Sequence, residues 1–177
     1  MVSRLISYIF IYMINNIDIF KNLLSNKELI FLDLTCAKFF EKEIISSKEN
    51  YNYYIRKILN IETDLLDYQQ KCKELIDDSY ELVGLWINKV TIETNIDDAY
   101  HNDICDLTIV TYINDTFDGG EFEYIENKNV FKIIPIRNMS LIMDKKLKHR
   151  VRKITKNERF SLISFYNKKH KKEKTLI

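Results

Sequence analysis

The sequence predicts an α+β protein in which a mainly helical first half supports a β sandwich or barrel. Two observations carry that expectation. Near residue 82 the apolar spacing changes from helical repeats to short runs rich in β-branched residues. Six or seven such runs then follow closely, with no Ser- or Pro-rich linker and no internal repeat to divide the chain. At 177 residues the chain is long enough to bury a core. The expected organisation is one domain over 1–177, with 1–82 as helical support, 83–166 as the β core and 167–177 as a basic tail.

The elements follow in order. Leu5 to Ile14 is nearly all apolar and follows Arg4. It is too short to span a bilayer as a helix, and Asn15, Asn16 and Asp18 follow it without a small-residue cleavage site. It reads as a packed helix or strand, or as an extension upstream of a start at Met13. A targeting or membrane-surface segment is the alternative. Phe20, Leu23 and Leu24 fall at helical spacing, as do Phe39, Phe40, Ile44 and Ile45, and then Tyr54, Ile55, Ile58 and Leu59. Thr63 to Leu82 sets Leu65, Leu66, Tyr68, Cys72, Leu75 and Ile76 on one broad face, with Thr63 as its cap.

The β runs are Leu85–Ile92, Leu107–Ile113, Glu121–Ile125, Val130–Ile134, Met139–Met143, His149–Ile154 and Arg159–Tyr166. Asn114 to Gly120 is a turn-rich loop. The chain holds 3 glycines, and two of them are the adjacent Gly119 and Gly120, which marks a turn that other residues cannot make. Asn167 to Lys174 is mostly lysine and reads as a solvated, frayed end, or as a weak electrostatic docking tail.

Composition narrows the function. Apolar residues make up 46% and charged residues 30%, a soluble globular balance. Lys plus Arg is 27 against 26 Asp plus Glu, so a net charge of +1 gives no argument for nucleic acid or an anionic membrane. Cys36, Cys72 and Cys105 are odd in number and form no CxxC, which disfavours a disulfide framework and a structural zinc site. Reduced thiols fit a cytoplasmic setting. No pattern sets an oligomeric state.

Four signals carry chemistry. In His101-Asn102-Asp103 an imidazole and a carboxylate two residues apart would share one side of a strand and converge on one ion. A surface turn after Asp97-Asp98 accounts for the same residues. His149 shares a strand face with Val151, with Lys148, Arg150 and Arg152 opposite; a satisfied core histidine is its plainer reading. Taken together, His101, Asp103 and His149 form the two-histidine, one-carboxylate set that suits Fe(II) and leaves coordination positions open; zinc suits the same ligands. Arg159 shares a face with Ser161, Ile163 and Phe165. A guanidinium there needs an anion, whether a bound dicarboxylate or a structural partner such as Glu158 or Glu121. Tyr112 shares its face with Val110 and Thr108, as a core aromatic or as a hydroxyl donor to the same carboxylate.

The ordered set resembles a known family. It runs His101-x-Asp103, Leu-Thr-Ile-Val-Thr-Tyr-Ile-Asn-Asp over 107–115, Gly119-Gly120-Glu121-Phe122, Pro135 with Asn138, Leu-Ile-Met-Asp over 141–144, His149-x-Val151 and Arg159-Phe-Ser-Leu. It looks like the prolyl-hydroxylase-like branch of the 2-oxoglutarate/Fe(II) oxygenases, over roughly residues 85 to 166. The resemblance implies a double-stranded β-helix (jelly-roll) core buttressed by N-terminal helices. It implies that His101, Asp103 and His149 bind Fe(II), and that Arg159, with Tyr112 and Thr108, grips 2-oxoglutarate. O2 is the co-oxidant and ascorbate an optional support. Arg159 lies ten residues after His149 and no arginine follows it. That spacing is similar to prolyl hydroxylases and unlike the nucleic-acid demethylase branch.

Two departures stand out. The upstream cosubstrate tyrosine of relatives is absent from Val90-Thr91-Ile92-Glu93-Thr94, with Thr91 and Tyr100 the nearest substitutes. Met143 stands where an aromatic is often found. The implied activity is hydroxylation of a prolyl or lysyl residue in a peptide or protein, with succinate and CO2 as coproducts. The alternatives are hydroxylation of a free amino acid or other small molecule, a degenerate metal-binding or interaction protein on the same scaffold, and a plain structural α+β protein with His101 and His149 far apart. Lys145, Lys146, Lys148, Arg150, Arg152 and Lys153 suit an acidic partner or RNA, or a plain solvated face.

Overall fold

The computed structural model describes residues 9–14, 17–38, 55–93 and 99–169. Its largest sheet is antiparallel and has seven strands. In spatial order these are β1 (Ile9–Ile14), β2 (Ile17–Lys21), β9 (Met139–Asp144), β5 (Leu107–Tyr112), β12 (Arg159–Lys168), β4 (Tyr80–Val90) and β3 (Ile55–Ile58). A second sheet of three strands runs β10 (Lys148–Val151), β7 (Phe122–Glu126), β8 (Asn129–Ile133). The short pair β6 (Asp118–Gly119) and β11 (Ile154–Lys156) closes one end. Helices α1 (Asn26–Ala37) and α2 (Leu66–Leu75) supply residues to the core on the outer face of the large sheet.

The large sheet is buried on both faces, and this explains its near-continuous apolar runs. In β12, Phe160, Leu162 and Tyr166 join Tyr68 and Cys72 of α2 in the helix-side core. In β9 the neighbours Leu141 and Ile142 belong to different cores, one between the sheets and one beneath the helices. That is the period-2 alternation of a strand with apolar layers on each side.

The first half is less helical than its spacing predicts. Phe20 lies in β2, where it pairs with Ser140, while Leu23 and Leu24 are buried in the turn before α1. Ile55 to Ile58 forms strand β3, which pairs with β4. Short apolar runs have no decisive period, and pairing with a distant strand settled these. Phe39, Phe40, Ile44 and Ile45 lie outside the described residues, as do Leu5 to Tyr8 and His170. Ile9–Ile14 is a strand paired with β2. The second half begins earlier than predicted, since β4 starts at Tyr80. The expected run His149–Ile154 is two strands, β10 and β11. Asn167 and Lys168, expected in the basic tail, belong to β12, and Lys168 N donates to Asp106. Among the described residues, no helix is long and apolar enough to cross a membrane.

One residue joins the two helices. Ser25 and Glu28 form a capping box on α1. Glu28 Oε1 also accepts from Tyr68 N of α2 at 2.6 Å. The expected cap Thr63 stands outside α2, whose N-cap is Leu65, in a left-handed conformation without a side-chain cap hydrogen bond. Glu28 thus does for α2 what a local cap would do. Glu28→Ala should lower stability by about 2–3 kcal/mol, because it uncaps one helix and strands a buried donor on the other. Thermal melting would show a fall on the order of 6 °C.

A candidate metal centre and its cleft

The site lies between the two sheets, in a cleft of about 270 Å³. One wall is the inner face of the large sheet. Alternation in β12 turns Arg159, Ser161, Ile163 and Phe165 onto it, and β5 adds Thr108, Val110 and Tyr112. The other wall is the small sheet, with Phe122, His149 and Val151.

The structure brings His101, Asp103 and His149 together. One ligand atom from each can be chosen so that all lie within 4.8 Å of one another. The expected strand alternation is not what achieves this. Residues 102–103 are not in a strand, and His101 makes an isolated antiparallel bridge to His149. The two residues exchange both backbone hydrogen bonds, at 2.8 and 2.9 Å, and their rings stand 4.5 Å apart. His149 Nε2 is 3.9 Å from Asp103 Oδ1.

Both imidazoles are oriented by backbone carbonyls. His149 Nδ1 lies 3.0 Å from Leu147 O, and His101 Nδ1 lies 3.3 Å from Ala99 O. With Nδ1–H donating in each, both Nε2 atoms are left as the ligating nitrogens, the usual outer-shell arrangement of metal-binding histidines. His149 is buried and stacks on Phe122 at 5.2 Å. Burial pushes its pKa down against the opposing pull of Asp103, which favours the neutral imidazole that a metal requires.

Arg159 is 6% exposed, and its Nη1 donates to Gly120 O at 3.3 Å. Glu158 pairs with Lys89 at 2.5 Å and Glu121 with Lys132 at 3.1 Å. Gly119 and Gly120, at φ 78° and 68°, make the tight turn beside it. A Cβ on Gly119 would lie 2.2 Å from Lys153 O, so no other residue fits there.

Three buried hydroxyls in the cleft wall, on Tyr112, Ser161 and Thr108, have no hydrogen-bond partner. Burial raises the Tyr112 pKa to about 12, even with Arg159 acting to lower it, so its hydroxyl is a proton donor at neutral pH. A cation flanked by unsatisfied hydroxyls fits a polar, anionic ligand.

The strand register separates Thr108 from Tyr112. Tyr112 pairs with Ser161, two residues along β12 from Arg159, whereas Thr108 pairs with Phe165, six residues along. At ~3.3 Å per residue that is about 20 Å along the strand from Arg159. Neither substitute for the upstream tyrosine reaches the cleft wall. Thr91 donates to Glu93, and Tyr100 donates to Glu123 on the outer face. Asn88 and Trp86 of β4 line the cleft instead, with Asn88 in register with Ser161. Sequence reasoning missed both, although a lone asparagine within Leu-Trp-Ile-Asn-Lys-Val was the available signal. Met143 lines the cleft and is buried.

Two antiparallel sheets facing one another form a double-stranded β-helix, with the His101, Asp103 and His149 cluster on one side of the cleft and Arg159 on the other. Solved oxygenase structures share that fold. The viral collagen prolyl hydroxylase of Paramecium Bursaria Chlorella virus-1 is similar with a TM-score of 0.66 and 16% identity, over 88% of this chain and 91% of that one. The Trichoplax adhaerens prolyl hydroxylase, in complex with a hypoxia inducible factor peptide fragment, gives 0.61 and 15%, over 87% and 84%. HygX of Streptomyces hygroscopicus, with nickel, 2-oxoglutarate and hygromycin B bound, gives 0.60 and 8%, over 86% and 83%. No family model and no curated protein matches the chain.

Proposed function

We propose that this chain is an Fe(II)- and 2-oxoglutarate-dependent dioxygenase. The observation that carries the reading is the pairing of a convergent His101, Asp103, His149 set with Arg159 and the unsatisfied Tyr112 and Ser161 hydroxyls across one cleft. His101, Asp103 and His149 would hold Fe(II), a donor set that leaves open positions on one side. Arg159 would hold the distal carboxylate of 2-oxoglutarate through a charge-assisted fork, with Tyr112 donating its hydroxyl proton to the same group. When bound, Fe(II) with 2-oxoglutarate and O2 supplies the oxidising power that converts C–H to C–OH, with succinate and CO2 as coproducts. Ascorbate is an optional support.

The residues of the chain contribute position and dryness. Arg159 fixes the cosubstrate at one end, which turns a multi-body encounter into an oriented one. Phe122, Val110 and Ile163 supply apolar wall and keep water from the centre. Trp86, Phe165 and Thr108 line the part of the cleft further along the strands from Arg159, where a substrate would rest.

For the substrate we favour a prolyl or lysyl residue in a peptide or protein. The fold is shared with a prolyl hydroxylase carrying a bound peptide, and Arg159 follows His149 at the prolyl-hydroxylase spacing. A small-molecule substrate is the second reading, favoured by the shared fold of a structure with hygromycin B bound. Turnover of a peptide set against a metabolite set separates the two. The organisation we favour is one domain over 1–177, in a cytoplasmic setting.

The cofactor assignment is tested without substrate. Fe(II) and 2-oxoglutarate are added anaerobically to metal-free protein, and the weak visible charge-transfer band of a chelated 2-oxo acid is sought. The band is expected; its absence from folded protein would sink the assignment. Tyr112→Phe should weaken 2-oxoglutarate about tenfold, the cost of one hydrogen bond to a charged group. Because its hydroxyl stays protonated, the deficit should be the same at pH 6.5 and 8.5, read by titrating that band.

A further inference from the structure

Residues 99–103 carry two of the three proposed ligands on a slender support. His101 exchanges two backbone hydrogen bonds with His149, and Asn102 Nδ2 donates to Lys145 O. His101 itself is exposed. A ligand pair held so lightly needs a further anchor to keep its geometry.

The residue before His101 supplies one. Pairing of His101 with His149 sets Tyr100 opposite Arg150, on the outer face of the small sheet. Arg150 in turn stands opposite Glu123 of β7. The Arg150 guanidinium lies 4.3 Å from the Tyr100 ring centre. Arg150 Nε and Nη2 reach Glu123 Oε2 at 2.8 and 2.7 Å, and Tyr100 Oη donates to the same oxygen at 3.3 Å. Glu123 is 8% exposed, and Arg150 and Tyr100 are partly buried, so the contacts are less open to water than those of an ordinary surface pair. The sheet therefore carries two parallel rows. His101 and His149 face inward with their ligating nitrogens, while Tyr100, Arg150 and Glu123 lock together on the reverse face.

We propose that the Tyr100–Arg150–Glu123 stack is a positioning device that fixes the direction in which His101 and Asp103 enter the metal site. The inference rests on the metal-binding reading of the triad. Clamping the Tyr100 ring fixes the backbone at 100, and so fixes where the next Cα–Cβ bond points. Outer-shell groups that orient ligands commonly change metal affinity 10- to 100-fold.

Charge makes the test decisive. Arg150 is a cation close to the place of a dication, so by Coulomb repulsion alone its removal should tighten metal binding. A positioning role gives the opposite sign. The full metal-free chain is titrated with Co(II), following the d–d absorption band, with melting temperature as the folding control. Arg150→Met and Tyr100→Ala should each weaken Co(II) about 10-fold or more and alter the band. Tyr100→Phe keeps the ring beneath Arg150 and should stay within about 3-fold, because it loses only the longest of the three hydrogen bonds. Lys156→Ala, an exposed residue of β11 outside the stack, should change nothing. The double variant Tyr100→Ala/Arg150→Met should lose no more than the worse single, as coupled partners do. If Tyr100→Ala does not fold, Arg150→Met decides alone. Wild-type affinity or tighter in Arg150→Met overturns the positioning role while leaving the metal site standing. A folded wild type that takes up no Co(II) overturns the metal reading and this inference with it.

Discussion

His149→Ala is expected to abolish turnover while leaving the sheets in place. His149 is the one buried member of the triad, and it ties the exposed His101 to the small sheet through backbone bonds that the substitution does not remove. Loss of its imidazole leaves two ligands. Since outer-shell partners alone change affinity 10- to 100-fold, a lost ligand should cost more than about 100-fold in metal affinity. With limiting Fe(II), activity should fall below detection, and the charge-transfer band should disappear with it. Asp103→Ala should behave in the same way, because it removes the one anionic ligand. The Phe122 ring, stacked on His149 at 5.2 Å, loses a neighbour, so a melting temperature a few degrees lower is expected as well. Undiminished turnover in either variant would remove the triad from the mechanism.

Arg159→Ala is the second large effect, and it falls on a different constant. Two charge-assisted hydrogen bonds to a carboxylate contribute about 3–4 kcal/mol, so affinity for 2-oxoglutarate should drop roughly 100-fold or more, with metal affinity unchanged. The chain has a single tryptophan, Trp86, and it lines the cleft, so its fluorescence reports occupancy directly. Arg159→Lys should recover only part of the loss, because an ammonium keeps the charge and gives up the planar fork. A structural arginine would behave otherwise, with Arg159→Ala lowering the melting temperature of the metal-free chain and leaving 2-oxoglutarate affinity intact.

Much of this arrangement was legible locally. Alternation within Arg159 to Tyr166 put Arg159, Ser161, Ile163 and Phe165 on one face, and these four do line the cleft. The same rule put Lys148, Arg150 and Arg152 opposite His149; the structure pairs Arg150 with Glu123 and Lys145 with Asp106, so part of the basic set is engaged within the chain. What local pattern could not show was long-range pairing. Phe20 looked helical because its partner, Ser140, is far away in the chain. Ile55 to Ile58 looked helical for the same reason, since their pairing strand, β4, lies further along the chain. Thr63 looked like a cap because nothing local could reveal that Glu28 reaches across from another helix.

The residue types able to take a metal and a dicarboxylate, and the side chains within a strand that share a face, are local properties of the chain. Those depend on chemistry and on a two-residue period, both written in a short stretch of chain. How they meet depends on long-range pairing. A single backbone bridge, and no continuous strand, brings His101 to His149. The register of β5 on β12 sets Tyr112 near Arg159 and Thr108 at the other end of the cleft. The pairing of β4 with β12 inserts Asn88 and Trp86 into a wall where no spacing rule would have put them. Register is a relation between distant segments, fixed when the sheets bury their apolar faces together, and a local pattern does not contain it.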